Sequence, residues 1–168
     1  MEGVTDYSGP EPTVQIPEPA GKRSRKAKLA VTGFGVALLC DLFFVIFFRL
    51  NFTTVVVSGQ SMMPTLKSGK KVLVSKAYWL VGAIQDGDVV VIKEEDGPGG
   101  YIIKRVYKMA GEAVDTFNAP NKWSLVQGEY KVPEGQIYVL GDNRAISEDS
   151  RRFGAVDVNT ILGKVVAY

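Results

Sequence analysis

The chain changes character at Phe52-Thr-Thr-Val-Val-Val-Ser-Gly-Gln-Ser-Met-Met-Pro-Thr-Leu66, which separates a long apolar run from a series of short segments rich in β-branched residues. Its first part, residues 52–57, predicts a β-strand. Gly59 and Pro64 then predict a turn. Ser61 therefore lies where a strand gives way to a loop, a position that holds a side chain well and leaves it reachable. Most serines after strands are polar turn residues only, and this stretch alone favours that interpretation over a nucleophile.

The chain beyond this point predicts one all-β domain over residues 51–168. Short apolar segments alternate with turn sequences that contain glycine, and no helical period extends beyond a turn or two. The predicted strands cover residues 53–57, 71–76, 88–93, 101–109, 113–117, 136–140 and 161–167. The predicted turns fall at residues 67–70, 85–88, 95–100 and 132–135.

An apolar run without proline, residues 29–48, precedes the β domain and has the length of a transmembrane helix. Lys22-Arg-Ser-Arg-Lys-Ala-Lys28 lies directly before it, whereas only Arg49 follows it closely. The positive-inside rule therefore predicts a cytoplasmic N-terminus and an extracytoplasmic β domain. A cleaved signal peptide is the alternative, but no small-residue cleavage site follows the run.

The remaining N-terminal residues, 1–28, predict a disordered cytoplasmic tail that ends in this basic flank, because proline and glycine recur and little could form a core. Asp41 lies within the apolar run, where a carboxylate costs about 2.5–3.5 kcal/mol on insertion scales. A partner helix or simple tolerance by the span would both account for it, and the sequence leaves its role open.

The composition excludes several kinds of site. The 168 residues include no histidine, which excludes Ser-His-Asp and Cys-His catalysis and any metal site with histidine ligands. Cys40 is the only cysteine and lies in the apolar run, so no internal disulfide can form. The net charge of +2 carries no basic face with interleaved aromatic residues, so no nucleic acid is expected as a partner. We predict no metal and no cofactor.

Without histidine, a serine nucleophile needs a carboxylate or a neutral lysine as its base. Lys104 is the best lysine, because strand alternation in residues 101–107 places it on one face with Ile102 and Val106. Burial there disfavours the ammonium form, and the adjacent Arg105 is expected to lower the pKa of Lys104 further. The alternative is a lysine that extends from a sheet edge into water.

A third polar cluster, Gly141-Asp-Asn-Arg-Ala-Ile-Ser-Glu-Asp-Ser-Arg151, follows the predicted strand 136–140. Dense polar loops usually only connect strands. Arginines and carboxylates mixed in this way can also hold one another and orient a catalytic side chain. Composition alone does not decide between these two interpretations.

Taken in order, these stretches resemble the conserved boxes of type I signal peptidases, peptidase family S26. The matching segments are Ser58-Gly-Gln-Ser-Met-Met-Pro-Thr-Leu66, Gly87-Asp-Val-Val-Val91, Tyr101-Ile-Ile-Lys-Arg-Val106, and Gly141-Asp-Asn-Arg144 with Ser147-Glu-Asp-Ser-Arg151. The resemblance is to the short bacterial form with one membrane span. It implies a signal-peptidase-like β-barrel or sandwich behind one N-terminal transmembrane helix, held in the plasma membrane as a single-pass protein.

The resemblance also implies roles for individual residues. Ser61 matches the nucleophile and Lys104 the general base, while the backbone N–H of Ser61 matches an oxyanion donor. Ser147 matches a serine that hydrogen-bonds the lysine. Asp149 and Arg151 match a pair that braces the site.

Two further positions flank the nucleophile. Met62 matches a residue that packs beside the lysine. Gly59 stands where some members carry a serine whose hydroxyl is a second oxyanion donor, so the resemblance assigns no second donor here. Ser58 is one residue further back and is expected to point elsewhere.

The function implied is that of a membrane-bound serine endopeptidase that cleaves signal peptides from exported preproteins after small residues in an Ala-X-Ala pattern. Its expected partners are preprotein signal peptides, membrane lipid and the secretion machinery. One alternative is a self-cleaving Ser-Lys regulator, for whose usual DNA-binding domain residues 1–28 offer no room. The other is a catalytically inactive, membrane-anchored peptide-binding β domain, against which the retained serine, lysine and polar cluster argue.

Overall fold

The structure is a computed structural model that describes residue 9, residues 21–94 and residues 100–168. The other residues of the predicted tail, and most of the predicted turn at 95–100, lie outside the described residues. The chain divides into two units, Met1–Phe44 and Val45–Tyr168.

Helix α1 (Gly21–Asn51) contains the predicted span. Its part Lys28–Asn51 is long and apolar enough to cross a membrane. The helix begins before the predicted span and includes the basic flank, whose lysines and arginines are good helix formers. It ends at Asn51, whose side-chain amide donates to the Phe47 carbonyl at 2.9 Å.

The rest of the described chain is mostly β, so the all-β prediction is confirmed. Seven strands form one curled antiparallel sheet in the order β1-β2-β9-β3-β4-β7-β8, and β5 pairs with β6 in a separate two-stranded sheet. The strands are β1 (Phe52–Val56), β2 (Lys71–Ser75), β3 (Val89–Lys93), β4 (Tyr101–Lys108), β5 (Ala113–Val114), β6 (Tyr130–Lys131), β7 (Gln136–Leu140), β8 (Val156–Asp157) and β9 (Ile161–Ala167). Two short helices accompany them, α2 (Tyr78–Val81) and α3 (Ser150–Phe153).

The centre of the large sheet is buried on both faces. Along β3, Val89 and Val91 belong to one apolar cluster, while Val90 and Ile92 belong to a second. Alternate side chains of a strand point to opposite faces, so the two clusters cover the two faces of the sheet. This explains why β3 is an unbroken apolar run rather than an alternating one.

Three of the predicted turns are present, and a backbone hydrogen bond closes each of them. The Lys70 N–H donates to the Lys67 carbonyl at 3.2 Å, the Asp88 N–H to the Gln85 carbonyl at 3.1 Å, and the Gln136 N–H to the Pro133 carbonyl at 3.2 Å. The predicted strand 113–117 is too long. The Asp115 carboxylate accepts the N–H groups of Phe117 and Asn118 at 3.1 and 3.2 Å, which turns the chain after β5. The strands β6 and β8, each only two residues long, were not predicted from the sequence.

Candidate active site

Ser61 lies in the loop between β1 and β2, where its side chain meets that of Lys104 on β4. The Lys104 Nζ donates to the Ser61 Oγ at 2.9 Å, across 43 positions of sequence. The loop is closed at its base by two backbone hydrogen bonds between Val57 and residues 69–70, both 2.8 Å long. Its interior holds Met62 and Leu66, which are 1% and 0% exposed. Ser61 is therefore presented by a loop whose apolar residues are fixed in the core.

Lys104 is only 4% exposed, so the alternative of a lysine extending into water is wrong. Its β4 neighbours on the same face, Ile102 and Val106, pack with the second apolar cluster. Burial lowers the pKa of Lys104, and the negative charges of Asp149, Glu94 and Glu148 oppose this without reversing it. The neutral amine required of a base is thereby made accessible nearer to neutral pH.

Arg105 faces away from Lys104 and does not contribute to lowering its pKa, so that expectation is wrong. Its guanidinium binds Asp142 in a bidentate pair, with Nε to Oδ1 at 2.8 Å and Nη2 to Oδ2 at 2.7 Å. The third nitrogen donates to the Gly87 carbonyl at 2.7 Å. Although burial of Asp142 acts in the opposite direction, the hydrogen bond and charge of Arg105 hold the pKa of this carboxyl below its usual value. The sequence analysis missed this pair.

The polar loop after β7 folds on a buried carboxylate. Asp149 is 0% exposed and accepts the Gly141 N–H at 3.0 Å, together with the Nε and Nη2 of Arg151, each at 2.9 Å. Arg151 also donates to the Arg144 carbonyl at 2.8 Å. Burial would raise the pKa of Asp149, but these donors lower it on balance. The structure thus places Asp149 and Arg151 together within the loop.

This loop contacts the Ser61 backbone directly. The Asn143 N–H donates to the Ser61 carbonyl at 2.9 Å. A Cβ built on Gly141 would lie 2.6 Å from that carbonyl oxygen and would overlap the Ser147 side chain, so only glycine fits there. The periodicity of the sequence does not predict these contacts of Gly141 and Asn143. The signal that could have indicated the first of them is a glycine placed directly after a buried strand.

Ser147 lies in this loop, but its hydroxyl has no hydrogen-bond partner among the described residues. The hydrogen bond expected between Ser147 and Lys104 is therefore not formed in this structure. The Oγ is nevertheless buried, and the Ser147 hydroxyl contributes to lowering the pKa of Asp149.

Two cavities adjoin the Ser61 hydroxyl. A small one of about 40 Å³ is lined by Ser58, Ser61, Lys104 and residues 101–103. A larger one of about 380 Å³, the site cavity, includes Ser58, Gly59, Ser61, Glu94, Ile102, Lys104, Ile146, Glu148 and Phe153. Ser58 lines both cavities. Gly59 adopts φ +83°, a left-handed conformation that favours glycine.

Within the described residues, no cluster of carboxylates and cysteine could hold a metal ion.

Known signal peptidases are similar to this chain in sequence. The sequence profile of the family described as "Signal peptidase, peptidase S26" matches residues 27–120 and 115–168. Signal peptidase I of Bacillus caldolyticus is 36% identical over 145 residues, covering 68% of this chain and 77% of that protein. Signal peptidase IB of Staphylococcus aureus strain COL is 31% identical over 148 residues, covering 67% and 75%. A crystal structure of a signal peptidase I from Enterococcus faecalis V583 matches with a TM-score of 0.39 and 23% identity, over 50% of this chain and 97% of that one.

Proposed function

The chain belongs to the signal peptidase family, peptidase S26, whose members are hydrolases, and from this we propose that it cleaves signal peptides from exported preproteins with Ser61 as nucleophile and Lys104 as general base. The observation that carries the proposal is the 2.9 Å contact between the Lys104 Nζ and the Ser61 Oγ. A buried lysine beside a serine hydroxyl has the geometry that a histidine-free nucleophile requires.

The reaction would proceed in two halves. Neutral Lys104 takes the Ser61 proton as Oγ attacks the scissile carbonyl carbon, and then gives that proton to the leaving amine as the peptide bond breaks. The signal peptide is left as an ester on Ser61. Water then attacks this ester with Lys104 again as base, which releases the signal peptide with a free carboxylate and restores Ser61.

The developing oxyanion needs donors that are fixed before reaction. The Ser61 N–H is one candidate, because the contact of Asn143 with the Ser61 carbonyl fixes the backbone there. Gly59 has no hydroxyl to offer. Ser58 is a hydroxyl-bearing residue that lines both cavities, and its side chain is our candidate for a second donor.

Cleavage after small residues is supported by the size of the small cavity. With a volume of about 40 Å³ beside Ser61, it offers room for a methyl group but not for a large side chain. Its walls include Ile102 and Ile103, which suit an apolar methyl. We therefore assign the alanine before the scissile bond to this cavity.

We further propose that α1 anchors the enzyme in the plasma membrane, with the N-terminus cytoplasmic and the β domain extracytoplasmic. The support is the apolar segment Lys28–Asn51, together with the basic residues that precede it in the sequence. A preprotein held in the same membrane by its signal peptide would then meet the site at a high effective concentration. Contact with membrane lipid and with the secretion machinery belongs to this proposal.

The test is cleavage of a preprotein with an Ala-X-Ala site by the full chain in detergent. Ser61→Ala and Lys104→Met are compared with Lys122→Met, an exposed lysine outside the site. We expect the parent and Lys122→Met to cut after the second alanine, and the two site variants to be inert. An inert parent would favour the peptide-binding alternative, and cleavage by Lys104→Met would mean that the base is another residue.

A further inference from the structure

A third cavity, which we call the cationic arm, opens beside the site cavity. It has a volume of about 320 Å³ and is lined by Asn121, Arg144, Ile146, Glu148, Arg151 and Arg152, with two small residues of the same loop. Ile146 and Glu148 also line the site cavity. The two cavities therefore adjoin along this pair of residues.

The arm has an excess of positive charge and of hydrogen-bond donors. Arg151 is neutralised by the buried Asp149, and Arg152 pairs with the exposed Glu148. Arg144 forms no ion pair among the described residues; it donates to the Asn118 side-chain carbonyl at 3.0 Å and lies 5.4 Å from the Tyr107 ring centroid. A guanidinium has five N–H donors, so Arg144 retains most of its capacity to bind an anion.

The position of the arm relative to the small cavity indicates which part of a substrate would reach it. The small cavity and the cationic arm share no lining residue. Another cavity, of about 280 Å³ and lined in part by apolar residues, does share Ile102 with the small cavity. The apolar cavity thus adjoins the small cavity, whereas the cationic arm adjoins the site cavity only through Ile146 and Glu148. Once the small cavity is assigned to the residue before the scissile bond, the cationic arm is left for the leaving side of the substrate.

We propose that the cationic arm binds an acidic side chain in the first few residues of the mature protein, and so makes cleavage selective for preproteins that carry one. This inference rests on the proposed function, because the assignment of the small cavity to the residue before the scissile bond orients the substrate. Glu148 limits the selectivity, because its ion pair with Arg152 already neutralises part of the positive charge of the arm. An anionic lipid headgroup has the same charge, but the arm adjoins the site cavity, which favours the peptide.

The test uses pairs of Ala-X-Ala preprotein peptides that differ only by glutamate or glutamine at one early mature position, cleaved by the full chain in neutral detergent. The readout is the ratio of kcat/KM for the glutamate peptide to that for the glutamine peptide. We expect this ratio to reach about two- to fivefold at one position, as for an exposed ion pair, and to fall with added salt.

Variants of the arm should move the ratio in opposite directions. Arg144→Gln and Arg152→Gln should bring it towards one, Glu148→Gln should raise it, and Lys122→Gln should leave it unchanged. A variant that merely loosens the fold slows both peptides alike and does not change the ratio. Cleavage of both peptides at equal rates at every position would overturn the inference while leaving the proposed function standing. A ratio that departs from one only with anionic vesicles would mean lipid binding instead, and cleavage of neither peptide would defeat both proposals.

Discussion

Replacing Asp149 by asparagine removes one charge at the centre of the polar loop with little change of size. Asp149 accepts the Gly141 N–H and two guanidinium nitrogens of Arg151. An asparagine side chain offers one oxygen and one NH2 group, so at least one donor loses its acceptor and Arg151 loses its counter-charge. We predict that Asp149→Asn lowers the free energy of unfolding and also changes the pH dependence of catalysis.

The size of the stability loss follows from burial. Removing one partner of a buried ion pair costs about 3–5 kcal/mol. The side chain of Asp149 is 1% exposed, but that of Arg151 is 22% exposed, so water partly compensates the arginine. We expect the lower end of the range, about 3 kcal/mol. With about 2–4 °C per kcal/mol for a chain of this size, Tm should fall by roughly 6–12 °C at neutral pH.

The loss should itself depend on pH. Although burial alone would raise the pKa of Asp149, the hydrogen bonds from Arg151 and Gly141 lower it. A carboxyl whose folded pKa is lowered contributes stability above its unfolded pKa, about 3.9, and loses it as the pH falls through the folded pKa. The difference in Tm between parent and variant should therefore be constant near neutral pH and should shrink below about pH 4.

The same substitution acts on Lys104. Among the carboxylates that oppose the effect of burial on the pKa of Lys104, Asp149 has the largest influence. Its removal should lower that pKa further and shift the rising limb of the pH–rate profile to lower pH. Glu148→Gln is the control for stability, because its pair with Arg152 is about 70% exposed on both sides and its loss should cost less than about 1 kcal/mol. Glu148 also opposes the effect of burial on the pKa of Lys104, so this variant should shift the rate profile in the same direction as Asp149→Asn, but less. A variant as stable as the parent at pH 7, with its rate profile unmoved, would refute this reasoning.

Three other substitutions test separate parts of the site. Lys104→Met should be inactive but should have a higher Tm than the parent at neutral pH, because a buried ammonium is destabilising. This gain in Tm should shrink as the pH rises towards about 10.4, where the lysine of the unfolded chain also loses its proton. Gly141→Ala should lower both Tm and kcat, because its Cβ overlaps the Ser147 side chain and the carbonyl of the nucleophile, and retained activity would contradict the packing described. Arg105→Lys keeps the charge but cannot bridge Asp142 in a bidentate way, so thermal unfolding should register a loss of about 1–3 kcal/mol, whereas an unchanged Tm would mean that the pair does not stabilise the sheet.

Much of the fold could be predicted from the sequence because the longer strands carry their own signal. Segments such as β3 and β9 are apolar, rich in β-branched residues and bounded by turn residues. The strands β6 and β8 lack such a signal, since two residues cannot define a period and their pairing depends on the partner strand. The early end of β5 depends on one side chain, Asp115, which binds the backbone locally.

The candidate site was harder to predict from the sequence than the fold. Alternation placed Lys104 on a face with apolar neighbours, but its contact with Ser61 depends on the register of β4 against a distant loop, and only the resemblance paired the two residues. The error about Arg105 has a simple origin. Neighbours in sequence on a strand point to opposite faces, so proximity along the chain suggested an electrostatic effect that the sheet geometry removes.

That opposite orientation explains how the fold keeps the base in place. A slip of β4 by one residue would exchange its two faces and bring Arg105, which cannot lose its proton at physiological pH, to the position of Lys104. The bidentate contact with Asp142 and the bond to the Gly87 carbonyl fix Arg105 on the other face, and β3 and β7 pair with β4 on both sides. The slipped register would bury the guanidinium away from its carboxylate, at a cost of several kcal/mol. The pair of Arg105 with Asp142 therefore also ensures that lysine, and not arginine, lies beside Ser61.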